Sequence, residues 1–341
     1  MRRTLASALC ASLFLIPLLL IAGGAAEAGE RLDAIKQRGF LTCGVGANVP
    51  GFSQRDARGA WSGFDVDICK AIAAAIFGDA GKLNFKPIDT LVNFVRDPEI
   101  DLVLRGLTWT MAREIPGELR YGPILLYDGQ GFLVPKSLKI ESPAALSGKT
   151  ICVSTDAAFL TGLRVYFRNR NLTLRAVLKE RRAQAEDAFF AGECEAMSAD
   201  VSELAEAVIG KAPRPDDYAI LPQQITKEPL APLLRKGDDQ FFDAVRWAIF
   251  ALIDAEELGI DTANVERMRG NEDPDVRFFF AAPPAGAPTL NPAWTSAIVK
   301  AVGNYGEIYE RNLGEKSRAK LPRGLSRLWS AGGLLYAPPI R

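Results

Sequence analysis

Gly106-Leu107-Thr108-Trp109-Thr110-Met111-Ala112-Arg113 is the stretch whose residue types and spacing could do chemistry. The short apolar run before it, Ile100-Asp101-Leu102-Val103-Leu104, reads as a buried strand ending in a glycine turn. Thr110 is placed to cap a brief helical turn, which Pro116 keeps short. Arg113 would then lie at the positive end of that turn's dipole, an unfavourable place for a cation. An anion sharing the site removes the conflict, held by the guanidinium fork, hydroxyls and free backbone N–H groups. The small anion that fits is a carboxylate. Taken alone, the stretch reads more plainly as an exposed arginine after an ordinary turn; the rest of the chain reverses that preference.

Composition removes much of the competing chemistry. The chain contains no histidine, which excludes Ser-His-Asp and Cys-His catalysis, His-ligated zinc and an imidazole base. Carboxylate and lysine chemistry remain open. Arg2 and Arg3, an apolar core from Leu13 to Ala22 interrupted by Pro17, and Ala26-Glu27-Ala28 form an export leader, with cleavage expected after Ala28. That core is too short for a membrane span. Cys10 precedes it and lacks the small residues expected before a lipidated cysteine. Losing Arg2, Arg3 and Glu27 turns a formal charge of 0 into −1, so no electrostatic case exists for nucleic acid or an anionic membrane.

Four cysteines remain in the mature chain: Cys43, Cys69, Cys152 and Cys194. An even count in an oxidising compartment suggests disulfides, with three possible connectivities. Pairing near neighbours, Cys43 with Cys69 and Cys152 with Cys194, keeps one bridge in each half; four buried thiols are the alternative. No metal site or cofactor is expected.

The elements that must position Arg113 alternate in type. A helix from Arg31 to Arg38 precedes a strand at Phe40–Val45 and a turn-rich loop from Gly46 to Gly63. A helix follows over Phe64–Phe77, with Val66, Cys69, Ala73 and Ile76 as its apolar stripe. Strands at Leu83–Pro87 and Ile100–Leu104 flank a helix near Leu91–Arg96. The pattern then repeats: strand Thr150–Ser154, helix Ala157–Phe167, strand Leu172–Val177, helix Arg182–Ala191 and a strand at Glu195–Ser198. Two α/β units of similar size predict parallel-rich sheets in two lobes, with loops at the carboxyl ends of the strands lining a cleft. Gln240–Leu258 reads as a core helix, Ala281–Pro288 as a break, and Asn291–Asn312 as a further helix.

Joined by Gly106-x-Thr108-x-Thr110-x-x-Arg113, lobes of this kind resemble the periplasmic solute-binding proteins of polar amino-acid ABC transporters. Within these, the chain is similar to the general L-amino-acid branch. Trp61-Ser62-Gly63-Phe64-Asp65-Val66-Asp67, Tyr127-Asp128-Gly129-Gln130-Gly131-Phe132 and Lys227-Glu228-Pro229-Leu230 carry the likeness. So do Gly237-Asp238-Asp239-Gln240, Ala255-Glu256-Glu257-Leu258-Gly259-Ile260, Gly303-Asn304-Tyr305-Gly306-Glu307 and Tyr336-Ala337-Pro338-Pro339-Ile340-Arg341.

The resemblance implies a type II, Venus-flytrap α/β fold. Lobe 1 would span residues 29–127, lobe 2 residues 128–228, and residues 229–341 would return to lobe 1 and add a C-terminal helical extension. It implies that Arg113 and Thr108, beside Gly106, hold a ligand's α-carboxylate, and that Asp200 reaches its α-ammonium from lobe 2. A zwitterion needs such a fork for one end and a carboxylate for the other. Phe52 is a candidate apolar wall, with ordinary loop packing as the alternative. The implied partners are a free amino acid and an inner-membrane ABC permease, with the receptor a periplasmic monomer.

Two segments depart from the family's pattern. Where a Thr/Gly-rich turn normally completes the carboxylate site, this chain has Ser154-Thr155-Asp156-Ala157-Ala158. Asp156 is well placed to cap the next helix, but it also brings a negative charge to the terminus where Thr155 and the backbone should meet an anion. The usual arginine-containing segment between the second and third strands reads Asp89-Thr90-Leu91-Val92-Asn93-Phe94. Two other functions therefore stand beside transport: an accessory or sensory protein with lost or altered ligand binding, and a periplasmic enzyme such as a dehydratase built on carboxylates and lysine.

Overall fold

Every residue of the strand Leu41–Gly46 is buried, and that strand organises the first of two five-stranded sheets. The computed structural model describes residues 29–285, 287 and 290–341. The leader at 1–28, with Cys10, and Gly286 and Pro288 of the break lie outside the described residues.

In the first sheet Leu41–Gly46 pairs in parallel with Leu83–Ile88 on one side and Leu102–Leu104 on the other. Leu233–Arg235 then adds antiparallel to Leu102–Leu104, and Leu119–Tyr121 closes the sheet antiparallel to Leu233–Arg235. The second sheet repeats this order. Thr150–Ser154 lies between Arg175–Lys179 and Ala196–Asp200, both parallel to it. Gln130–Pro135 and Tyr218–Ile220 complete it in antiparallel fashion. The chain crosses between the sheets at a short antiparallel pair, Leu126–Asp128 with Glu228–Leu230. The result is the two-lobed, parallel-rich α/β architecture that the alternating pattern predicts.

The helix Phe64–Phe77 shows why the first lobe keeps the C-terminal extension. Its apolar stripe predicts one buried face, yet Phe64 to Cys69 and Ala71 to Ile76 are all buried. Its outer side is covered by Asp239–Glu257 and Trp294–Val302. A helix that is apolar nearly all round needs cover on every side. The single helix expected over Asn291–Asn312 is two, Trp294–Val302 and Tyr305–Asn312. Gly303 breaks it at φ +78°, and Asn304 restarts it by accepting from the Glu307 N–H at 2.9 Å. Farther on, the tail reaches the second lobe through Lys320–Asp216 at 2.5 Å and Arg318 donating to the Ala212 carbonyl at 3.3 Å. It returns to the first lobe where Arg323 meets Glu256.

Two disulfides, Cys43–Cys69 and Cys152–Cys194, join residues whose Cα atoms are 6.4 and 5.7 Å apart. They follow the near-neighbour pairing predicted from the cysteine count. No helix among the described residues is long and apolar enough to cross a membrane.

Candidate functional site

The carboxyl ends of the parallel strands face one cleft of about 430 Å³. Val49 and Phe52 follow the strand Leu41–Gly46, Arg105 to Thr108 follow Leu102–Leu104, Asp156 follows Thr150–Ser154, and Asp200 ends Ala196–Asp200. This is where loops meet in a sheet of this kind, because the helices that follow each strand turn away and leave their amino termini at the rim.

Local bonding fixes the Arg113 turn. The Thr110 hydroxyl accepts from the Arg113 N–H at 3.3 Å and so caps the short helix Met111–Glu114. Trp109 stacks on Tyr121 with ring centroids 5.7 Å apart and donates from Nε1 to Glu114. The Thr108 carbonyl accepts from Tyr121 and, at 2.9 Å, from Arg113 Nη1. The guanidinium also lies beside the Tyr121 hydroxyl, and the rest of its fork is left for another acceptor.

Gly106, Thr108, Arg113, Phe52, Asp156 and Asp200 all line the cleft. Thr155 does not: its hydroxyl lies 3.3 Å from the Glu180 carbonyl, and its N–H donates to Lys179. Asp156 combines both anticipated positions. It caps the helix Ala157–Asn169 by accepting from the Ala158 N–H at 2.9 Å, and it also borders the cleft. Phe52 is buried edge-on against Phe64 while presenting part of its surface to the cleft, so core packing and wall coincide.

Several lining residues are not assigned to the site from the sequence. Arg105, Asp65, Gln130, Arg182, Glu203, Glu206 and Glu228 arrive from elements far apart in the chain. One local signal was present: Asp200, Glu203 and Glu206 recur at helical spacing across the start of Val201–Lys211. Arg182 is bound by that face, with contacts of 3.1 Å to Glu203 and 2.8 Å to Glu206, and by Glu186 at 3.4 Å. Burial works against its charge, but Glu206, Glu203 and Glu186 more than offset it and raise its pKa.

In the acids burial prevails instead, and the charged form is disfavoured. Burial lifts Asp200 to about 8, helped by Asp128, Glu203, Glu228 and Asp156. Asp65 also rises to about 8, chiefly by burial and then by Glu206, with Arg105 opposing. Burial raises Glu206 to about 7 against the pull of Arg182. Arg105 is pulled below its ordinary value by burial, against Asp89, Asp65 and Glu206. Such perturbed groups gathered in one cleft make it a candidate functional site. Asp200 Oδ1, Asp65 Oδ2 and Arg105 Nε are buried with no hydrogen-bond partner among the described residues.

Residues 41–259 match the profile of bacterial extracellular solute-binding proteins, family 3. The chain is 41% identical over 334 residues to the general L-amino acid-binding periplasmic protein AapJ of Rhizobium johnstonii, covering 95% of this chain and 96% of that protein. It is 38% identical to the glutamate/glutamine/aspartate/asparagine-binding protein BztA of Rhodobacter capsulatus, covering 96% and 97% of the two chains. Among solved structures, a periplasmic binding protein from Brucella ovis with glutathione bound superposes with a TM-score of 0.79 at 39% identity, covering 91% of this chain and 99% of that one.

Proposed function

The chain belongs to the bacterial extracellular solute-binding proteins of family 3, and we propose that it is a periplasmic receptor that closes around a free L-amino acid and delivers it to an ABC permease. One observation carries this reading. A guanidinium with most of its donors free (Arg113) and a carboxylate with an unpartnered oxygen (Asp200) border the same cleft from opposite lobes.

In this reading Arg113 and the Thr108 hydroxyl hold the α-carboxylate at the turn after Gly106. Asp200 accepts from the α-ammonium, and Phe52 packs against the side chain. A ligand that bridges the lobes binds the closed arrangement better than the open one, and its differential affinity drives closure. The lobes would divide at 127/128 and 228/229. The leader would be removed after Ala28 and the mature receptor would act as a monomer. Asp156, engaged by the Ala158 N–H, would leave the carboxylate to Arg113.

A thermal-shift screen against the common amino acids tests this reading, with glutathione added because the Brucella relative holds it. Ligand at about one hundred times its dissociation constant should stabilise the protein by about 2.7 kcal/mol. Silence toward every compound would favour the accessory reading, to which the six carboxylates among the cleft's lining residues already lend weight.

A further inference from the structure

Resting on the amino-acid reading of the same cleft, we propose that Asp65 and Arg105 form a two-point reader for the ligand's side chain, selecting a carboxamide over a carboxylate. The starting observation is an imbalance among the buried polar atoms of the residues that line the cleft. Asp65 Oδ2, Gln130 Oε1, Asp200 Oδ1 and Glu203 Oε2 are acceptors with no donor among the described residues, whereas Arg105 Nε is a donor with no acceptor. An α-ammonium taken by Asp200 on the second lobe leaves Asp65, on the first, still without a donor.

Asp65 is only 4% exposed, and it is held firmly. The Phe64 N–H donates to the Gly51 carbonyl at 2.9 Å and the Asp65 N–H to the Phe52 carbonyl at 3.0 Å, fixing the helix entry against the loop. Gly63 permits that approach: at φ +132°, a Cβ there would stand 2.2 Å from the Phe52 oxygen. The apolar wall and the buried carboxylate therefore move as one unit. Phe52, Asp65, Arg105 and Gly106 all line the cleft itself, whereas the recess they share with Phe64 and Leu104 holds only about 10 Å³, too little for a side chain. A side chain leaving a Cα atom anchored beside Gly106 and Thr108 shares the cleft with Asp65 and Arg105.

Side-chain chemistries fare differently there. A carboxamide offers its N–H₂ to Asp65 Oδ2 and its oxygen to Arg105 Nε, satisfying both. A carboxylate pairs with Arg105 but, once Asp65 and Glu206 are ionised, faces two negative charges. A guanidinium or ammonium pairs with Asp65 but crowds Arg105. An apolar side chain leaves both polar atoms buried and unmet, which is costly. Glutamine and glutamate share one shape, so their ratio isolates the reader.

Calorimetric titration of the purified protein with glutamine, glutamate, arginine and leucine at about pH 9, where Asp65 and Glu206 are ionised, provides the test. Glutamine should bind about tenfold or more tighter than glutamate. Asp65→Asn removes the repulsion and should shrink that ratio to below about threefold, while Arg105→Gln removes the acid's partner and should widen it. A purely structural role for either residue would weaken both ligands together. If Asp65→Asn does not fold, the Arg105→Gln ratio decides. Equal or tighter binding of glutamate to the unmodified protein, or a ratio that neither variant moves, overturns the reader while leaving the receptor intact. Failure of every amino acid to bind the unmodified protein overturns the receptor reading and this inference with it.

Discussion

Arg113 on the first lobe and Arg182 on the second border one cleft, yet only the first is free to meet an anion. Arg113 donates to a single carbonyl, whereas Arg182 is shared among Glu186, Glu203 and Glu206. Both lobes have the same strand order, so topology does not explain the contrast. The neighbouring helix does: Val201–Lys211 turns a carboxylate face toward Arg182, while the four-residue helix holding Arg113 turns none. Counting arginines would give both walls an anion site. Counting their unused donors leaves one, and assigns the acidic wall to the ammonium end of a ligand.

The largest effect expected from this asymmetry is at Arg113. Arg113→Ala should cost about 2–5 kcal/mol of binding, enough to make an amino acid undetectable by calorimetry, with the melting temperature of the empty protein little changed. Wild-type affinity in that variant would break the comparison outright. Asp200→Asn should weaken binding by about tenfold to a hundredfold, because an ammonium loses a charged acceptor. An N-acetylated amino acid, which has no ammonium, should bind both forms equally weakly. A clear preference of that compound for either form would place the ammonium elsewhere.

Acidity tests the cleft's buried acids as a group. Asp65 and Asp200 at about 8 and Glu206 at about 7 all titrate higher in the folded chain than unfolded. The stability they contribute is full below the unfolded pKa of about 4 and lost as pH rises toward 8. The empty protein should accordingly melt higher near about pH 5.5 than at about pH 8. Ammonium binding needs ionised Asp200 and so releases protons, which makes the ligand-induced shift larger at the higher pH. Scanning calorimetry at both values, with and without saturating ligand, would expose a flat or reversed dependence.

The smallest effect concerns Asp156. Asp156→Gly should lower stability by about a few tenths of a kcal/mol, since glycine retains most of the worth of a cap. Affinity should change by less than about threefold, and in the direction of tighter binding, because a neighbour that resists ionisation of Asp200 is gone. Binding that appears only in this variant would show that Asp156, not Arg113, governs the cleft.

How much of this could be read from the chain depends on distance along it. The capped turn at Thr110–Arg113 and the cap at Asp156 are local events, set by a few neighbouring residues, and both stand where the sequence places them. The helix Phe64–Phe77 is likewise legible, but its full burial is not, because Trp294–Val302 covers it from more than two hundred residues away. Arg105 looks like the polar end of a strand, and only folding brings Asp65 and Glu206 near it. The antiparallel strands Leu233–Arg235 and Tyr218–Ile220 are three residues each, too short for an alternating pattern to announce them.

The disulfides carry a consequence for motion. Cys43 and Cys69 tie a first-lobe strand to the helix behind it, and Cys152 and Cys194 tie two neighbouring segments of the second lobe. Neither bridge spans the cleft, so swinging the lobes apart stretches neither sulfur–sulfur bond. Oxidation and opening are independent degrees of freedom. A reductant would loosen each half from within, while the arc through which the halves travel would stay the same.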